Sequence, residues 1–383
     1  MDETDPALVA DGAAREHLSE ARISLDHLVS NARAVRKRIG SSPRIMGIVK
    51  ANAYGHDAGR VAAALEATGI NDFGVANIAE AVRLKSSGAL QHPSRILAFA
   101  PPLASHIELF LRHDIEMTLC DISTLQQAEA CASATGKTIA VQVKVDTGMG
   151  RLGATPREAM ELLSQVESSP HLELKAIYTH FAESSIPGGF TRQQLDTFRT
   201  LTSEYEHLSG RTLCKHAANS GAILSEPDSW LDMVRPGILL YGYHPAENTP
   251  LRLDIKPVMQ MAAKVIFVKK VDTGTSISYS RRWRAPEPRY IATVSAGYAD
   301  GYFRTLSGKA TVKINGESYP QIGTVTMDQI MVDLGRELKV QQGDTAVLFG
   351  WDGPTAAELA EIAGTISYET LCAVSSRVKR TFI

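Results

Sequence analysis

The chain has 383 residues, a length that suggests two or three domains rather than one. Its 44% apolar and 21% charged content is ordinary for a soluble globular protein. Forty Lys+Arg against 42 Asp+Glu leave a net charge of −2, which argues against a nucleic-acid binder. Residues 1–18 are acidic, without the apolar core of a secretory signal, and are expected to form a disordered extension. No apolar stretch approaches the roughly 18–20 residues that span a bilayer, so no membrane partner is expected. Cys120, Cys131, Cys214 and Cys372 are widely spread and show no CxxC spacing, which speaks against a zinc site or a disulfide framework. The cytoplasm is the expected compartment, with no bound metal.

From residue 44, short apolar runs alternate with amphipathic stretches. RIMGIVK (44–50) is predicted as a buried strand, GRVAAALEATG (59–69) as a helix, DFGVAN (72–77) as a strand and IAEAVRLKSSG (78–88) as a helix. The strands RILAFA (95–100) and EMTLC (116–120) flank a helix around 105–113, and a helix over 124–136 precedes the strand IAVQVKVD (139–146). LELKAIYTH (172–180), CKHAAN (214–219) and MVRPGI (233–238) complete eight candidate strands. Such alternation implies parallel strands with right-handed crossovers. Eight units point to a (β/α)8 barrel over 19–250, though periodicity alone also admits a doubly wound sheet. After about residue 250 the runs 259–271, 290–297, 309–316, 324–334 and 345–350 are β-rich, and only 356–364 has a helical pattern. A mostly β domain over 251–383 is expected.

Polar residues stand at the strand ends, where barrel enzymes place their chemistry. Lys50 ends the first strand, Lys144 and Asp146 the fifth, His180 the sixth, and Asn219 and Ser220 the seventh, while Arg235 lies in the eighth. Barrels often bind phosphate with the loops after strands seven and eight. Here those loops are NSGA (219–222) and RPGI (235–238), whose small residues allow an anion close to the backbone or merely turn the chain. Lys50 is either a desolvated amine suited to Schiff-base chemistry or a lysine that snorkels to the barrel mouth.

VKANAYGH (49–56) resembles the pyridoxal-phosphate (PLP) lysine motif of the alanine racemases. KVDTGMGRLG (144–153), YTHFA (178–182), HAANS (216–220), VRPGILLYG (234–242), ISYSRRW (277–283), GYADGY (297–302), TVTMDQIMVDL (324–334) and SYE (367–369) resemble later blocks of that family, in the same order. The resemblance spans about residues 20–383 and implies a PLP-binding barrel followed by a β domain. It also implies a homodimer whose active sites are shared between subunits, and a cytoplasmic enzyme that makes D-alanine for peptidoglycan. Lys50 would bind PLP and act as base on one face of the substrate α-carbon, with Tyr279 of the other subunit on the opposite face. A phenol with an ordinary pKa of about 10 needs help from positive charge to act as a base, and His180 and Arg235 resemble the pair that supplies it.

An arginine against the pyridine nitrogen keeps that nitrogen unprotonated, so the α-carbon is reprotonated before side reactions intervene; the plain alternative is a structural salt bridge. Tyr54, Asn219, Ser220, Gly237, Ile238 and Tyr368 match cofactor-binding positions. Arg151 and the backbone of Met327 match the contacts to the substrate carboxylate. Lys144 matches a lysine that many members carry as the carbamate (N6-carboxylysine), and an unmodified cation there would repel Arg151. His56, Tyr178, His216, Tyr298 and Asp328 are expected behind these groups or at the entrance. Two departures from the family pattern are the absence of a tryptophan in SEARISL (19–25) and Thr326 in place of a frequent cysteine.

Alternatives are a racemase for another small amino acid such as serine, a basic amino-acid decarboxylase of the same fold, and a non-catalytic PLP carrier. A decarboxylase is expected to carry an acidic residue where Arg235 stands, and the carrier lacks a β domain.

Overall fold

Every predicted strand between residues 44 and 238 forms one stave of a closed parallel barrel. In this computed structural model the described residues are 17–186, 188–246, 249 and 251–383. After β1 (Ser19–Ile23), the barrel strands are β2 (Arg44–Ile48), β3 (Asp72–Val75), β4 (Arg95–Ala98), β5 (Glu116–Leu119), β6 (Ile139–Lys144), β7 (Leu172–Tyr178), β8 (Lys215–Asn219) and β9 (Met233–Arg235). Each pairs in parallel with its neighbour, and β2 with β9 closes the ring through Arg44↔Met233 and Ile45↔Val234. The staves are apolar because both faces are covered, and Ile96, Leu97, Met117, Val141, Val143 and Ile177 are all buried.

The helices between strands have clear physical starts and stops. Asn77 and Asp121 cap Ile78–Ser86 and Ile122–Thr135 by accepting from Glu80 N and Thr124 N. Thr155 and Glu158 form a capping box ahead of Pro156–Ser168, and left-handed Gly136 and Gly210 end their helices. The helix Leu25–Ile39 is tied to the segment after β9 by Asn31, whose amide donates to Leu240 O (3.0 Å) and Lys256 O (2.8 Å). Among the described residues no helix is long and apolar enough to cross a membrane.

The remaining strands are β10 (Met259–Val271), β11 (Ser276–Ile277), β12 (Trp283–Arg284), β13 (Arg289–Val294), β14 (Thr311–Ile314), β15 (Glu317–Ile322), β16 (Ile330–Gly335), β17 (Thr345–Phe349) and β18 (Lys379–Phe382). An eight-stranded sheet runs in the order β13-β16-β15-β14-β17-β10-β1-β18, and an extra β10–β13 pairing curls it back on itself. The barrel-plus-β architecture expected from the sequence is therefore the observed one.

Two compact units result, Asp26–Lys256 and Pro257–Ile383, the latter joined by the described residues up to Leu25. Segment 19–25, expected with the barrel, belongs by its pairing to the β unit. β1 lies antiparallel to β10 (Ser19↔Ala263 to Ile23↔Met259) and parallel to β18 (Glu20↔Lys379 to Ile23↔Phe382), which buries Ala21 and Ile23. The β unit also holds a second helix, Ser367–Cys372, beside the expected one at Ala356–Ala363. The expected disordered extension over 1–18 lies outside the described residues except for His17 and Leu18.

Candidate active site

Lys50 stands two residues beyond the end of β2 and opens a left-handed turn. Ala51, Asn52, Ala53 and Tyr54 have φ of 52°, 52°, 55° and 53°, a conformation that costs an L-residue about 1–2 kcal/mol. Four consecutive residues hold it because the surroundings bind their backbone. Ala53 N donates to Val49 O (2.9 Å) and Gly55 N to Ala51 O (3.0 Å). The Glu80 carboxylate accepts from Ala51 N (2.9 Å) and Ala76 N (2.8 Å), clamping the loops after β2 and β3 together. The turn buries Tyr54, whose ring lies 4.6 Å from that of Tyr241, and Tyr241 donates to Ile48 O at 2.8 Å. His56 is also buried, 4.7 Å from the same ring.

Tyr54 meets the loop after β9, and the loop after β8 meets Ser184. A Cβ on Gly237 would stand 2.5 Å from the Tyr54 hydroxyl, and one on Gly221 would stand 2.5 Å from Ser184 Oγ. A Cβ at Gly237 would push the Tyr54 ring aside, and one at Gly221 would press on the Ser184 backbone as well. Ser220 Oγ accepts from Gly237 N (2.9 Å) and lies 3.5 Å from Leu239 N, which leaves its own proton free to donate. Asn219 ends β8, and its Oδ1 accepts from Ala222 N (3.1 Å) and Ser184 Oγ (2.6 Å). Ile238 is buried next to Gly237. Tyr54, Ser220 and Gly237 thus form a cradle of neutral groups, a donor set that suits a phosphate.

Arg235, at the end of β9, is only 3% exposed. Its Nη1 donates to His216 Nδ1 (2.7 Å), and its Nη2 donates to Thr179 O (2.7 Å) and Ala217 O (2.9 Å) and lies 3.4 Å from His180 Nδ1. Among the described residues it forms no salt bridge, so its partners are imidazoles and carbonyls rather than a carboxylate. Burial pulls the guanidinium down to about 10, still far above neutral pH. Tyr178, which ends β7, is buried with its ring centre 5.4 Å from the Arg235 guanidinium.

His180 lies two residues beyond β7. Burial, then the charges of Arg235, Lys144, Arg151 and Lys50, push its pKa well below the usual histidine value. Four cations therefore converge on this mouth, as an anionic ligand requires. Lys144, buried at the end of β6, is pushed down to about 8, chiefly by burial, with Arg151 and Arg235 adding to the shift. Asp146 lies in the loop rather than the strand and shapes it by accepting from Gly148 N (2.9 Å) and Gly150 N (3.0 Å). Arg151 is exposed on the same loop.

On the β unit, Tyr279 follows β11 in a tight turn and is 68% exposed. Ser278 Oγ donates to Thr324 O (2.7 Å) and Thr324 Oγ1 to Tyr279 O (3.1 Å), which ties this turn to the loop that carries Met327 and Asp328. Tyr298 N donates to Thr326 O and Ala299 N to Met327 O, both at 3.0 Å, and Asp328 pairs with Arg377 at 2.9 Å. Tyr279, Met327, Tyr298 and Asp328 thus belong to one fastened group of loops. Tyr368 sits on the second short helix, and burial raises its pKa.

Glu80, Ser184, Tyr241 and, on β6 behind the site, Gln142 had no role assigned from the sequence. Gln142 interrupts an apolar strand, which was a usable signal; Glu80 and Ser184 act only through the folded loops.

The family model for the alanine racemase N-terminal domain matches residues 23–245, and that for the C-terminal domain matches 258–382. An alanine racemase of Chlorobaculum tepidum is 59% identical over 367 residues, covering 96% of this chain and 96% of that protein. One of Treponema denticola is 39% identical, covering 95% and 98%. The structure of the alanine racemase of Clostridium difficile 630 matches with a TM-score of 0.91 at 33% identity, covering 96% of both chains; a second structure of that enzyme is a complex with cycloserine. Fold, site and matches together define an isomerase of the amino-acid racemase class. Within that class the chain belongs to the alanine racemase family.

Proposed function

We propose that the chain interconverts L- and D-alanine in the cytoplasm as a homodimer, with pyridoxal 5'-phosphate as cofactor, and so supplies D-alanine for peptidoglycan. The cofactor, when bound, supplies an electron sink for the charge that develops on the α-carbon. Lys50 would hold it through its aldehyde carbon, Tyr54, Ser220, Gly237, Ile238 and Tyr368 would hold its phosphate, and Asn219 would be a further cofactor-binding residue. The Gly237 gap filled by the Tyr54 hydroxyl supports this assignment.

Inversion at a carbon needs a proton taken from one face and another delivered to the opposite face. Lys50 is the group on one face and Tyr279 of the second subunit the group on the other. His180, held neutral by burial and then by its cationic neighbours, partners the phenol. Arg151 and the Met327 backbone hold the substrate carboxylate, and the cycloserine complex of a related enzyme is consistent with a small amino-acid-like ligand. Lys144 attacks CO2 through Nζ and releases a proton, and the resulting carbamate anion steadies Arg151.

The observation that carries this reading is Arg235, a buried cation that can only donate, held by imidazoles and carbonyls at the barrel mouth. So held, Arg235 would offer only N–H donors to the ring nitrogen of a bound cofactor and would keep that nitrogen unprotonated, which favours return of a proton to the α-carbon over side reactions. The decarboxylase alternative, which needs an acid there, is not favoured. PLP-loaded protein given L- or D-alanine separately is expected to bring the optical rotation to zero from either side. Lys50→Ala is expected to lose the visible absorbance of bound cofactor together with activity. Protein that takes up no PLP when it is supplied would overturn the reading.

A further inference from the structure

Behind Arg235 a chain of polar side chains crosses the barrel interior. Arg44, Asp72, Arg95 and Glu116 open β2, β3, β4 and β5 at the end opposite the site. Asp72 lies 3.4 Å from both Arg44 Nη1 and Arg95 Nη1, and Arg95 grips Glu116 through Nε (2.5 Å) and Nη2 (3.2 Å). Glu116 Oε2 accepts from Gln142 Nε2, and Gln142 Oε1 lies 2.8 Å from His216 Nε2. His216 Nδ1 then meets Arg235 Nη1 at 2.7 Å. Gln142 and His216 are 0% exposed, so no water competes for these contacts.

The polarity of this chain is fixed from both ends, because an arginine donates and never accepts. At one end, Arg95 requires an accepting carboxylate at Glu116. Gln142 must then turn its NH2 to Glu116 and its oxygen to His216, so His216 carries its proton on Nε2. At the other end, Arg235 requires an accepting Nδ1, which gives the same tautomer independently. Tyr178 stacks on the imidazole with centroids 4.8 Å apart and planes 8° from parallel, and its hydroxyl is held by Thr118 Oγ1 at 2.8 Å. The ring is therefore fixed in both orientation and tautomer. Burial, then the charges of Arg235, Arg44 and Arg95, also push its pKa far below the usual histidine value.

We infer that Glu116 and Gln142 are positioning residues for the racemisation, acting through His216 to keep an acceptor against Arg235 and so to aim its guanidinium. This rests on the role proposed for Arg235. Without Gln142 the buried Nε2 proton has no acceptor and Arg235 alone favours this tautomer, so the other one, whose Nδ1–H points at a donor and displaces Arg235, becomes populated. Glu116→Gln has the same effect with almost no change of shape. Its amide oxygen serves only one of the two donors beside it, and its NH2 faces the other.

The test is long-range proton–nitrogen correlation on the full-length, PLP-loaded protein labelled with 15N histidine, with His216 assigned by the signal lost in His216→Asn. In the native protein His216 is expected as a single neutral Nε2–H tautomer that does not titrate through the neutral range. Gln142→Leu and Glu116→Gln are each expected to give mixed tautomers and a kcat lower by about ten- to a hundredfold, with KM for alanine changed by less than about twofold. A native His216 carrying its proton on Nδ1, or on both nitrogens, would overturn the inference without any variant having to fold. Both variants racemising at the native rate would overturn it as well. A fixed tautomer in a protein that does not racemise alanine would retain the chain of contacts and refute the proposed function instead.

Discussion

Burial brings the Lys144 amine to about 8, so at neutral pH about a tenth of it is uncharged, against less than about a thousandth for an ordinary lysine. That neutral fraction is what reacts with CO2. Acidification protonates it, so carbamate is expected to increase from neutral pH upward through the lysine pKa and to be lost as pH falls well below neutrality. Protein equilibrated with 13C-bicarbonate should show one carbamate carbon resonance that is absent in Lys144→Arg; its absence from the native protein would leave Arg151 without the proposed anion. At Gly237, an added methyl meets the Tyr54 hydroxyl at 2.5 Å. Gly237→Ala is expected to weaken PLP binding tenfold or more, while overpacking costs about 1–3 kcal/mol of stability. Fluorescence titration with PLP and thermal unfolding measure the two effects. Most of these residues stood out in the sequence because a lysine, a histidine or an arginine is conspicuous in an apolar strand. Glu116, Gln142 and Asp72 were equally conspicuous, but their meaning lies in partners on other strands, which spacing along the chain does not reveal.

The barrel strands were legible because parallel strands covered on both faces must be short and apolar, and caps such as Asn77, Asp121 and Thr155 mark the helices between them. The turn at 51–54 was not legible. Its left-handed backbone contains no glycine, and only tertiary contacts such as those of Glu80 account for it. Glu80→Ala removes the acceptor of two backbone N–H groups and is expected to cost about 1–3 kcal/mol. It should also raise the dissociation constant of PLP, because Lys50 opens that turn. A Tm and a PLP affinity both equal to native would show that the turn holds itself. The strand at 19–23 also escaped placement, since its partners β10 and β18 lie at the far end of the chain and an isolated alternating run names no partner.

At the scale of the molecule, the proposed site needs Lys50 from one subunit and Tyr279 from another. Lys50→Ala and Tyr279→Phe should each be nearly inactive alone. If subunits exchange freely, half the mixed dimers pair one of each variant, and each hybrid has one site with both groups intact. About a quarter of the native rate should then return on mixing; no recovery would mean that each site is built within one chain. The most direct measurement is made on Tyr279→Phe itself, loaded with PLP and given each alanine enantiomer in D2O. Bound cofactor should be retained and inversion should fall by about 10²–10⁴-fold, with deuterium entering the α-carbon of one enantiomer without inversion. Racemisation at the native rate would contradict a phenol and an amine working on opposite faces of the same carbon.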